Sequence, residues 1–85
     1  MDTQELLNER GKTHGDYTEH ARITQNLKIM MRNFKGWGRL NLAMCESLDM
    51  QAHKIGRILA GDPDFRDHWD DIAGYAKLVA NRCSK

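Results

Sequence analysis

Phe65, Trp69, Ile72, Ala76, Val79 and Cys83 recur at intervals of 4, 3, 4, 3 and 4 residues. Only an α-helix returns to one face at that spacing, so this stripe predicts a helix over 64–82. A second stripe, Asp67, Asp71, Gly74 and Leu78, lies on its other side and is acidic at the N-terminal end. Two occupied faces predict a helix set between neighbours, not one lying on a surface. The preceding segment, 41–60, repeats the pattern. Met44, Leu48, Ala52, Ile55 and Leu59 recur at 4, 4, 3 and 4 and form the expected buried stripe, with Glu46, Asp49, His53 and Arg57 nearly opposite. Asn41 suits an N-cap and Gly61 a C-terminal stop. Gly56 stands where a helix interior prefers Ala by about 1 kcal/mol. It implies close packing there, by a partner helix or by a ligand.

The rest of the chain is read against these two helices. Residues 2–10 predict a short helix capped by Asp2 or Thr3, with Leu6 and Leu7 as its only apolar grip. GKTHGD, 11–16, predicts a loop ending in Asp16, an N-cap with Glu19 three residues on, and a capping role accounts for both acids. His14 and His20 are read as surface histidines. Residues 17–33 predict a one-sided helix carrying Ala21, Ile23, Leu27, Met30 and Met31. In 33–40, two glycines flank Trp37. This predicts a loop whose Phe34 and Trp37 fold back over the helix ends, in preference to stacking on a base. Asp62-Pro63 predicts the restart of a helix. The expected fold is an all-α antiparallel bundle of about four helices, a single domain over 1–85. A chain of 85 residues has little core of its own, so a homodimer or higher oligomer is expected to complete it.

Composition narrows the function. The net charge is +1, so no global field points to nucleic acid or to a membrane surface. Locally, residues 10–39 carry a balance of +5, including Arg22, Lys28, Arg32, Lys35 and Arg39. No groove-reading helix accompanies that charge, and nucleic-acid binding is the weakest of the readings. No apolar run approaches the roughly 18–20 residues that span a bilayer. The opening MDTQELLNER is acidic and polar, unlike a secretory leader, and sets the expectation of a cytoplasmic protein. Cys45 and Cys83 lack the CxxC or Cys/His spacing of a zinc site and are expected to stay reduced.

The chemistry, if any, lies in the acids. Glu46 and Asp49 are three apart, as are Asp67 and Asp70, on consecutive helices expected to run antiparallel. Brought together, such carboxylates would raise one another's pKa and call for a cation, with an oxygen set suited to Mg²⁺. The chain has five acid-x-x-acid pairs, so the spacing alone selects little. The segments GKTHGDY, MQAHKIGRILAG and DHWDDIAGYAKL resemble small MazG-like proteins of phages and prophages. These are related to the all-α nucleotide pyrophosphohydrolases, whose signature is ExxE followed by ExxD on helices of a bundle. The resemblance implies that Glu46, Asp49, Asp67 and Asp70 or Asp71 hold Mg²⁺ (or Mn²⁺), that Glu46 and Asp49 are catalytic, and that Lys54, Arg57 and Lys77 face phosphates. It implies release of pyrophosphate from a nucleoside triphosphate, or nucleotide binding without turnover. The alternatives are a non-enzymatic helical phage protein that binds a host or phage partner, and a small nucleic-acid binder.

Overall fold

In the computed structural model, which describes residues 2–85, helix follows helix: α1 Thr3–His14, α2 Tyr17–Arg32, α3 Leu42–Ala60 and α4 Arg66–Ala80. A 3₁₀ turn, Lys35–Arg39, joins α2 to α3. No strand occurs among the described residues. Three N-caps are those the sequence predicts, while α4, expected to start from Asp62, follows Phe65 with no side-chain cap. Asp2, Asp16 and Asn41 each accept a hydrogen bond from the backbone N–H three residues on, at 2.7, 2.9 and 2.9 Å.

Three boundaries differ from the sequence reading by two residues or more, one being the end of α4 at Ala80 where 82 was expected. α1 runs through Gly11 to His14, because nothing crowds Gly11 and the helix stops only at Gly15, whose φ of 82° suits glycine. α4 begins at Arg66, later than expected. Asp62 closes a turn on the Asp64 N–H, and the Trp69 indole donates to the Pro63 carbonyl at 2.8 Å, holding that turn against the first coil of the helix.

The central element is α3, which packs chiefly against α2 and α4, with α1 leaning on it lightly. Both main pairings are antiparallel. Arg32 meets Asp49 while Thr24 and His20 meet Gly56. Ser47 donates to the Tyr75 carbonyl while Lys54 meets Asp71. At about 100° per residue, the two flanks of α3 are roughly 140° apart. The helices therefore form an open row, and Leu48, Ile55 and Leu59 fall in the gap left on one side.

This corrects the expected core. Leu48, Ile55 and Leu59 are 36%, 37% and 66% exposed, and Trp69 of the α4 stripe is 53% exposed. Ala52 alone among the described apolar residues is buried, whereas Thr24, Ser47, Lys54 and His68 are buried polar ones. The reason is steric. Small side chains let the helix backbones approach, and Gly56 is the point of closest approach. A Cβ there would lie 2.6 Å from Thr24 Oγ1 and 2.8 Å from His20 Nδ1. The neighbour that Gly56 admits is α2.

At one end of the row the two interhelical loops lock together. The Thr13 carbonyl accepts from the Asp62 N–H at 3.1 Å and from His68 Nε2 at 2.9 Å. A Cβ on Gly15 would overlap the Ala60 carbonyl, and one on Gly61 the Thr13 carbonyl. His68 is seated against Phe65 and His14, with ring centroids 4.9 and 5.0 Å away.

Candidate functional site

The acids do not gather. Asp49 accepts two hydrogen bonds from Arg32, at 2.9 and 2.7 Å, and the same guanidinium lies 4.4 Å over the Trp37 ring. Asp71 pairs with Lys54 at 2.9 Å and Asp70 with Arg66 at 3.0 Å. Glu46 is exposed on a groove between α3 and α4, beside Ser47, Tyr75 and Arg82. Asp67 is exposed in the first turn of α4. Among the described residues, no three histidine, cysteine or acidic side chains converge as a metal site would require.

The electrostatics follow the pairing. The Arg32 hydrogen bonds hold the Asp49 carboxyl below its ordinary range, and the Lys54 ammonium does the same for Asp71. Mutual repulsion would have pushed both upward. A divalent ion would have to take each carboxylate from a cation already bonded to it, so the acids as placed do not fit a shared ion. Trp37 is anchored through Arg32, but Phe34, expected to fold back, is 67% exposed.

The basic residues also separate. Lys54 is spent on Asp71. Lys77 lies, by helical register, on the face of α4 turned away from α3. Arg57 is different. It lines a cleft of about 650 Å³ with Leu7, Arg10, His14, Asp16, Tyr17 and His20 as its chief other walls. Neither Arg10 nor Arg57 takes part in an ion pair among the described residues. The single acid on the wall, Asp16, is engaged as the cap of α2.

The cleft is electropositive, and its histidines register that. Burial and then the Arg57 guanidinium hold His14 and His20 below the ordinary imidazole value. Burial, with Lys28, His20 and Arg57 adding, does the same for His53, whose ring centroid is 5.8 Å from that of His20. His20 Nδ1 is buried beside Gly56 without a hydrogen-bond partner. Tyr17, 81% exposed, stands at the rim.

Of the residues expected to act, the structure brings only Arg57 to a cavity with unpaired positive charge. Sequence reading placed His14 and His20 on the surface and attached no role to Arg10 or Tyr17. The available signal was the run HGDY: a glycine stop, a cap and an aromatic within four residues mark a tight reversal between helices. Compared with family models, with curated proteins and with solved structures, the chain matches none.

Proposed function

We propose that the chain binds a phosphorylated small molecule in the cleft between α1, α2 and α3, and that this ligand is a nucleotide. The observation that carries the proposal is Arg57, unpaired at the wall of a cleft of small-molecule size that it shares with Arg10, His14 and His20. Arg57 and Arg10 supply charge-assisted donors for phosphate oxygens. Tyr17 at the rim offers a ring on which a base can stack. The resemblance to MazG-like proteins supports choosing a nucleotide from among phosphorylated ligands.

Binding is the reading, not turnover. Release of pyrophosphate under Mg²⁺ or Mn²⁺ would need Glu46, Asp49, Asp67 and Asp70 or Asp71 to leave their present positions and regroup. An anion in the cleft stabilises the imidazolium forms of His14 and His20, so binding takes up protons and tightens as pH falls through the histidine range.

The test is calorimetric titration with a panel of ribo- and deoxyribonucleoside triphosphates, with and without Mg²⁺, together with a pyrophosphate assay. Saturable binding is expected, and Arg57→Ala should weaken it at least about tenfold, matching one charge-assisted hydrogen bond of about 1.5–3 kcal/mol. Tyr17→Ala should weaken it less. No binding at millimolar nucleotide, or binding indifferent to Arg57→Ala, rejects the proposal. Pyrophosphate release lost in Asp49→Asn would replace it with the metal-dependent enzyme.

A further inference from the structure

The side of the helical row away from the cleft presents an apolar surface. On α3 it consists of Leu48, Ile55 and Leu59, which are 36–66% exposed. Helical register sets Met30 of α2 on the same side, opposite the edge from which Arg32 reaches Asp49, and it is 61% exposed. Trp69 of α4 lies on that side too, opposite the edge from which Asp71 reaches Lys54, and is 53% exposed. These five residues span all three helices.

We infer that a second copy of this chain covers this face. Two measures of shape support that occupant. The accessible surface is 6418 Å². A folded monomer of 9.8 kDa exposes about 5,200 Å² by the scaling of single-chain proteins. The excess, about 1,200 Å² per chain, is the amount each partner buries in an obligate pair of 2,000 Å² or more in total. α1, which has no buried residue, and the apolar face both contribute to this excess. The radius of gyration is 14.6 Å where about 12 Å is expected for 85 residues, as for half of a two-layer bundle. A net charge of +1 opposes self-association only weakly. An apolar face complements another such face, and a two-fold axis in its plane closes both at once. Arg57 lies about half a turn around α3 from Leu48, Ile55 and Leu59, so pairing leaves both clefts open.

The test is the mass in solution of the full chain by light scattering, from micromolar to hundreds of micromolar. Twice 9.8 kDa is expected, and a single-chain mass throughout this range overturns the inference. The double variant Leu48→Glu/Ile55→Glu is expected to give a single-chain mass while Arg57-dependent binding at the cleft persists. Retention of the two-chain mass overturns the inference. Leu78→Glu is the control, because Leu78 is 53% exposed but lies on the groove beside Glu46. It should remain paired, and dissociation by Leu78→Glu alone overturns the assignment of the face. Should the double variant fail to fold, the unmodified chain still decides. Its urea midpoint should rise with chain concentration, and a midpoint independent of concentration overturns the pairing.

Discussion

The two sides of α3 are built from opposite materials. Where it meets α2 the contact is polar and tight: Thr24 is 1% exposed, and Gly56 leaves no room for a methyl group. Where it meets no other helix the surface is apolar and open, with Leu59 66% exposed. A core ordinarily runs the other way. The contrast shows that contacts within this chain depend on backbone proximity and hydrogen bonds more than on apolar burial. The apolar stripe is then available for association. Hydrogen bonds also tie the loop junction, where the Thr13 carbonyl accepts from the Asp62 N–H and from His68.

The comparison breaks most directly at that junction. Gly15→Ala places a methyl group against the Ala60 carbonyl in a backbone conformation with φ of 82° that alanine resists. Gly61→Ala meets the Thr13 carbonyl. Neither obstacle is a flexible side-chain tip. Each substitution should cost about 3 kcal/mol or more, a large share of the stability of a domain this size. Loss of helical circular dichroism, or a urea midpoint near zero, is the expected result. Wild-type-like unfolding would mean that the two loops do not touch.

Next in size is Gly56→Ala. On an exposed helix this change would stabilise by about 1 kcal/mol. Here it should destabilise by about 1–3 kcal/mol, because the methyl group meets Thr24 and His20. Thr24→Ala removes the nearest obstructing atom, so the double variant should recover part of the loss. A non-additive cycle of urea midpoints is the measurement. Additive losses would show that the seam is looser than its distances imply.

The fold was legible in the sequence and its interior was not. The intervals of 3 and 4 and the caps Asp2, Asp16 and Asn41 specify local structure through local chemistry, and that part was readable. Gly56 gave an accurate signal of close packing. The buried face was misread because periodicity reports where apolar residues lie on a helix, not whether another helix of the chain covers them. The partners of the acids were hidden for a related reason. The spacing of the acids places them on helix faces, but it says nothing of Arg32, Lys54 and Arg66, which reach Asp49, Asp71 and Asp70 first. The cleft residues Arg10, His14, Tyr17 and Arg57 come from three helices and share no spacing that a linear reading could find.

A gentler perturbation of the polar side is acid. His14, His20 and His53 all have folded-state pKa values below the ordinary value of about 6.5. The unfolded chain therefore binds protons before the folded one does. Stability is full above pH 6.5 and falls as pH drops below it, until the folded-state values are reached. Thermal midpoints measured from pH 7.5 to 5 should decline on the acid side. His53→Gln should flatten the decline without abolishing it, since two lowered histidines remain. Midpoints that rise toward pH 5 would contradict the burial of these histidines beside positive charge.

The smallest expected effect is the most informative about chemistry. Asp49 is the residue on which the metal reading and the ion-pair reading disagree in sign. As one of four clustered carboxylates it would be repelled, and Asp49→Asn would leave the metal-free fold unchanged or more stable. As the partner of Arg32 it is stabilising, and the substitution removes a bidentate contact whose arginine side chain is 42% exposed. Screening limits the loss to about 0.5–1 kcal/mol. The pH dependence has a definite sign as well. With the folded-state pKa depressed, the Asp49 contribution is present above about pH 3.9 and lost as pH falls through the lower folded value. Wild type and Asp49→Asn should therefore differ at pH 7 and converge in strong acid. Arg32→Gln should reproduce the loss, and the double variant should be little worse than either single one. Repeating the comparison in Mg²⁺ separates the two readings. If Asp49 serves Arg32 alone, the ion leaves the gap between wild type and variant unchanged. If the ion stabilises wild type and not Asp49→Asn, Asp49 can exchange Arg32 for a metal, and the acids of α3 and α4 regain the metal-holding role that the resemblance implied.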